Sequence, residues 1–147
     1  MPNWNQGDLK VRGTTENIQR FMKERILNGQ TVMWPGYAIL DIPRCFVPRN
    51  SLEDAQDLLD DYESNSPEPI VVVFNDTKIA WGFAIDHVQK AFESISARYH
   101  IDFKITSWES GMEFKTEFEC VNGKVTRCDE IQYENWVWEA ERPSIGG

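Results

Sequence analysis

Few residues of the 147-residue chain have the identity and spacing that chemistry requires. Its two histidines, His87 and His100, fall in the first turn and at the end of one helical pattern. At 1.5 Å of rise per residue they stand about 20 Å apart, too far to share a metal or a proton. A histidine at a helix end more commonly serves the dipole or the cap. Cys45, Cys120 and Cys128 are odd in number and include no C-x-x-C pair, so buried thiols are expected rather than a disulfide framework or thiolate metal site. Glu117 and Glu119 share one face of a strand, as a catalytic carboxylate pair could. They alternate with Phe118 and Cys120, however, the ordinary pattern of a half-buried strand with a solvated face. G-x-G-x-x-G, G-x-x-x-x-G-K and H-E-x-x-H are all absent, which removes the usual footing for nucleotide and zinc-protease chemistry. No catalytic residue, metal or cofactor is therefore expected. The alternative class is an enzyme with a cryptic site on an open sheet face, which a pocket holding a carboxylate beside His87 or a cysteine would favour.

Binding is better represented. Residues 51–68 hold seven acidic and no basic side chains, and the whole chain has a formal charge of −9. Such a block usually marks the solvated face of a helix. Glu53, Asp54, Asp57, Asp60, Asp61 and Glu63 could instead present carboxylates to a partner, as could the row of residues 113–119, either one imitating a polyphosphate strand. Six tryptophans are dense for this length, and most belong in a core. Trp136 and Trp138 alternate around Val137 in an acidic tail, which either adds a strand to the sheet, the preferred reading, or forms an exposed hook for a partner. Trp81-Gly82-Phe83-Ala84-Ile85 partly matches the glycine-aromatic segment with which RNA-recognition modules stack bases. Its leading Trp, its final Ile and the net negative charge all argue against phosphate binding. No run approaches the roughly 20 apolar residues of a membrane span, and MPNWNQGDLK is unlike a signal peptide, so a cytoplasmic protein is expected.

The elements that must position these groups follow from periodicity. Leu9 and Val11 alternate with charged residues as a strand that Gly13 ends. Thr14 caps a helix bearing Ile18, Phe21, Met22 and Ile26, stopped at Gly29. Tyr37–Ile42 is a strand. Ser51 and Asp54 form a capping box for a helix with Leu52, Ala55, Leu58, Leu59 and Tyr62 on its apolar stripe. Ile70–Phe74 is followed by a reversal at Asn75-Asp76 into Lys78–Trp81, a hairpin. Asp86 caps a second long helix carrying Val88, Ala91, Phe92, Ile95 and Tyr99. Ile101, Phe103 and Ile105 form a strand, Ser110-Gly111 turns into the clear alternation of residues 112–120, and Asn122-Gly123 returns it through Lys124–Ile131. The order predicts one α+β domain over residues 1–147. Its core is a ferredoxin-like βαββαβ antiparallel sheet with two helices on one face, an insertion at 28–68 with the acidic helix, and a C-terminal hairpin and tail at 110–147.

Met1-Pro2-Asn3-Trp4 followed by Leu9-x-Val11-x-Gly13 resembles the start of the YubB-type ferredoxin-like proteins of plasmids and phages. Ala80-Trp81, Ala97-Arg98-Tyr99, Phe103, Trp108-Glu109-Ser110-Gly111-Met112-Glu113-Phe114 and Asn122-Gly123 follow the pattern of that family over residues 79–125. Gly82-Phe83-Ala84 departs from it, standing where the family usually has S-P-P. The resemblance implies a mobile-element origin and a ferredoxin-like fold, and imports no catalytic residues. The expected function is a small acidic, non-enzymatic binding or regulatory protein. Its contact is a host or element-encoded protein, met through Glu53, Asp54, Asp57, Asp60, Asp61, Trp136 and Trp138.

Overall fold

The computed structural model describes residues 4–27, 36–41, 45–62, 67–79 and 86–146. The WGFAI segment, Gly29 and Glu63 lie outside the described residues. Eight strands and four helices are described: β1 (Asn5–Gly13), α1 (Thr15–Arg25), β2 (Ile26–Leu27), β3 (Tyr37–Leu40), β4 (Cys45–Pro48), α2 (Arg49–Asp60), β5 (Ile70–Ile79), α3 (Asp86–Tyr99), β6 (Asp102–Glu109), β7 (Phe114–Val121), β8 (Lys124–Gln132) and α4 (Trp136–Glu139). The strands make one antiparallel sheet in the order β2-β3-β4-β5-β1-β6-β7-β8. The sheet is thus twice as wide as the four strands that the expected core alone would supply.

Thr14 caps α1 as its type predicts, its hydroxyl accepting from the Asn17 N–H. The helix hands over directly to β2 at Ile26, a residue whose side chain still enters the core. Two expectations fail locally. Asn75-Asp76 does not reverse the chain. β5 runs on as one strand, because β1 offers a continuous partner on both sides of the dipeptide. Leu9 opposes Phe74 and Gly7 opposes Thr77, leaving residues 75 and 76 as a bulge with Asp76 at φ 58°. The tolerance of Asn and Asp for unusual backbone, read as a turn, serves a bulge instead. Ser51 is likewise no cap for α2. The helix begins two residues earlier, after Pro48, and the buried Ser51 hydroxyl donates to the Asn75 carbonyl, tying α2 to the bulge.

All three long helices cover one face of the sheet. Ile18 and Phe21 of α1, Leu52 and Leu59 of α2, and Phe92 and Ile95 of α3 join Leu9, Val11, Val72, Phe74, Phe103 and Ile105 in one core. Phe103 meets Phe21 at 5.6 Å and Phe92 at 5.1 Å edge-on, and Phe92 in turn reaches Phe118, tilted, at 5.1 Å. Asn122 and Gly123, at φ 52° and 78°, close the β7–β8 hairpin with the backbone their types favour. Gly7 is required by close approach: a Cβ there would sit 2.0 Å from the Thr106 carbonyl oxygen.

Candidate functional site

On α2, Leu52, Ala55 and Leu59 turn inward, while Glu53, Asp54, Asp57 and Asp60 are exposed, as is Asp61 just past the helix. Positions three and four apart share a helical face, so one spacing both anchors the helix and collects its carboxylates outside. The Gln56 amide donates to Asp60 at 2.9 Å, yet no cation is paired with any of these five carboxylates among the described residues. Several acidic groups elsewhere do meet cations: Asp41 with Arg25 at 2.6 Å, Asp86 with Lys90 at 2.8 Å and Asp102 with Arg12 at 2.8 Å. Leu58 and Tyr62, assigned to the apolar stripe, are partly exposed beside this patch. A groove of about 570 Å³ runs between α1 and α2, with Met22 and Leu52 in its wall and Lys23 and Glu53 at its rim.

The second carboxylate row is not a free anionic strip. On the sheet face away from the helices, Glu117 pairs with Lys115 and Arg127, and Glu119 with Lys104. Lys104 and Arg127 from the neighbouring strands, with Lys115 two positions along β7 itself, thereby commit Glu117 and Glu119, while Glu113 at the turn stays exposed. Lys10, Arg12, Val71 and Lys104 are exposed on the same face.

The tail was expected as a strand and forms none. Asn135 caps the single helical turn α4, and its own backbone N–H donates to Glu139, satisfying local donors that a strand would have left to the sheet. The turn separates the two tryptophans. Trp136 is buried with Trp108 and Ala140, and its indole donates to the Pro143 carbonyl at 2.8 Å, whereas Trp138 is 84% exposed. A lock invisible to periodicity holds the tail on the sheet. Trp108 Nε1 donates to Glu141 at 3.1 Å, Lys115 Nζ reaches the other Glu141 oxygen at 2.7 Å, and Arg142 pairs with Asp76. Only the parity of Trp108, on the sheet face opposite Phe103 and Ile105, signals that something must cover it.

The Lys115 hydrogen bond lowers the pKa of Glu141 against its partial desolvation. A carboxylate with a depressed folded pKa stabilises the fold above its unfolded pKa and loses that contribution as the pH falls through the folded value. The tail should therefore stay docked at neutral pH and loosen below about pH 4, the ordinary carboxylate range. An acid titration of tryptophan near-ultraviolet circular dichroism checks this, and Glu141→Gln should weaken the neutral-pH signal and flatten the acid transition.

The candidate nucleophiles and bases are not assembled. Cys45 and Cys120 are fully buried; burial raises the Cys45 thiol far above its usual range and pushes Cys120 up to about 11. Burial raises Cys128 as well. These shifts disfavour thiolates. His87 is exposed on the first turn of α3. His100 takes the left-handed position after that helix, φ 54°, beside a groove of about 520 Å³ that also contains Asp102. Both Asp102 oxygens are engaged, one by Arg12 and the other by the Asn122 N–H at 3.2 Å. Glu109, a buried carboxylate not singled out by spacing, accepts from the N–H groups of Gly111 and Met112 at 2.7 Å each and shapes the β6–β7 turn. Among the described residues no cluster of His, Cys, Asp and Glu is arranged to hold a metal, and no helix is long and apolar enough to cross a membrane. No family model, curated protein or solved structure matches the chain.

Proposed function

We propose that this chain is a small acidic binding protein that recognises a basic surface on a protein partner through α2. The observation that carries the reading is the set of five exposed carboxylates clustered on and beside α2 with no cationic partner among the described residues, whereas ten other acidic residues each pair with a cation. Like charges one turn apart, as at 53 and 57 or 57 and 61, cost a few tenths of a kcal/mol per pair. A cationic partner would relieve that repulsion. Leu58 and Tyr62 add apolar contact at its edge, and Trp138 offers a second exposed anchor.

The resemblance to the YubB-type proteins fits the same reading, and the partner is then a host protein or one encoded by the mobile element. Strands β4-β5-β1-β6 with α1 and α3 form a ferredoxin-like unit in this account, with α2 inserted between its second and third strands. The antiparallel pairing and order of those four strands support that assignment. Strands β2 and β3 widen one edge and β7 and β8 the other.

Tagged protein captures the partner from host lysate, and association kinetics are then compared with Asp57→Lys/Asp60→Lys/Asp61→Lys. The triple variant should keep its circular dichroism spectrum, since all three side chains are exposed. Its association rate should fall about tenfold or more at low salt, with the difference shrinking as ionic strength rises. Wild-type kinetics in the variant would return α2 to the status of a solvated face.

A further inference from the structure

β8 is the outermost strand of the sheet on its side, nine residues long, and its Lys124, Thr126, Arg127, Asp129, Glu130 and Gln132 are exposed. Among the described residues no strand pairs with its outer side, and an edge of this length leaves a row of N–H and C=O groups that native proteins rarely leave available to any passing strand. This edge is guarded by charges and, at its hairpin end, by a bulge near Thr126. The order of those charges carries more information than their number.

We propose that β8 pairs with β8 of a second copy about a two-fold axis at Cys128, joining two eight-stranded sheets into one. When two identical strands continue an antiparallel sheet, the axis stands perpendicular to it and passes through a residue position. Each residue then faces one as far beyond the centre as it lies before it. Centred on Cys128, Arg127 of each copy, which already pairs with Glu117 and Asp129 of its own chain, also faces Asp129 of the other. The bulge at Thr126 breaks the alternation beyond Arg127, so regular pairing is confined to residues 127–129, where no like charges meet. Neighbouring centres fail. An axis at Arg127 opposes two guanidinium groups, and one at Asp129 or Glu130 opposes two carboxylates, each destabilising in a directly paired position. An axis at Thr126 uses only the bulged end of the strand. The charges that repel foreign strands thus disfavour the registers centred on Arg127, Asp129 and Glu130 and favour the one centred on Cys128, a use of edge residues that combines attraction with exclusion. In that register the two Cys128 Cα atoms lie about 4.5–5.5 Å apart, within disulfide reach. Cys128 is also the thiol that burial closes off least, since Cys45 and Cys120 are both fully enclosed.

Sedimentation equilibrium of the full chain at about 0.15 M salt, where the repulsion between two net charges of −9 is screened beyond about 8 Å, should give a dimer. Arg127→Asp should raise its dissociation constant at least tenfold, because it sets carboxylate against carboxylate twice across the axis. Diamide oxidation should trap a covalent dimer in the wild type and none in Cys128→Ser. The serine variant should nevertheless sediment as a dimer, which separates pairing from cross-linking. A monomer at 100-fold the working concentration, a dimer unaffected by Arg127→Asp, or a dimer whose Cys128 pair diamide cannot join would each overturn the proposal. Circular dichroism of Arg127→Asp confirms that any loss of dimer occurs in a folded chain. If Arg127→Asp unfolds, Asp129→Arg poses the same like-charge test from the other side of the axis.

Discussion

Replacing Phe103 with Ala is expected to lower the unfolding free energy by about 3–5 kcal/mol, the range for deleting a large aromatic from a packed interior. Phe103 is 1% exposed on β6, beside the central strand β1, and its ring contacts Phe21 of α1 and Phe92 of α3. One truncation therefore opens a cavity between the sheet and both long helices, and neither helix can collapse into it without leaving its other contacts. Urea denaturation measures the effect. Phe103→Leu, which keeps most of the volume, should cost much less. Equal losses for the two variants would mean that the site tolerates repacking and is not the keystone of the helical layer.

Trp136→Ala should also cost about 3–5 kcal/mol at its own site, whereas Trp138→Ala should change stability by less than about 0.5 kcal/mol. The two residues are adjacent in pattern and opposite in environment: Trp136 is 5% exposed and Trp138 is 84% exposed. Loss of Trp136 removes the packing of Trp108 and Ala140 and a hydrogen bond to the Pro143 carbonyl. The tail should then release, seen as faster amide exchange at residues 136–146 and as a red-shifted Trp108 emission. Trp138→Ala should leave both signals in place, which makes it the clean variant for probing a binding role. A large stability loss in Trp138→Ala would show that the exposed face of α4 is covered.

Elements with a strong local period were legible in the sequence. α1, α3 and the β6-β7-β8 meander follow directly from their three-four and two-residue apolar repeats, and Asn122-Gly123 has the backbone its composition requires. The failures share a physical cause. At Asn75-Asp76 the residue types suggest a reversal that does not occur, because whether they reverse the chain or bulge it depends on β1, which lies more than 60 positions away in sequence. At Trp136 and Trp138, alternation suggested a strand, and a capped helical turn won because Asn135 and Glu139 satisfy its ends locally. The carboxylates of residues 113–119 looked like those of α2 in the sequence. Only cross-strand register reveals that Lys104 and Arg127 join Lys115 of the same strand in pairing with Glu119 and Glu117. The acidic patch of α2 was legible because its charges come from within nine consecutive residues. The Lys115–Glu141–Trp108 lock was not, because its members come from three separated segments.

Carboxyl-group footprinting of the chain, alone and bound to its captured partner, tests the role of α2 most directly. Carbodiimide-driven labelling should be strongly suppressed in the complex at Glu53, Asp54, Asp57, Asp60 and Asp61, and unchanged at the exposed Glu113 of the β6–β7 turn. Undiminished labelling of α2, with protection confined to Glu117 and Glu119, would contradict the assignment and move the contact to the open face of the sheet.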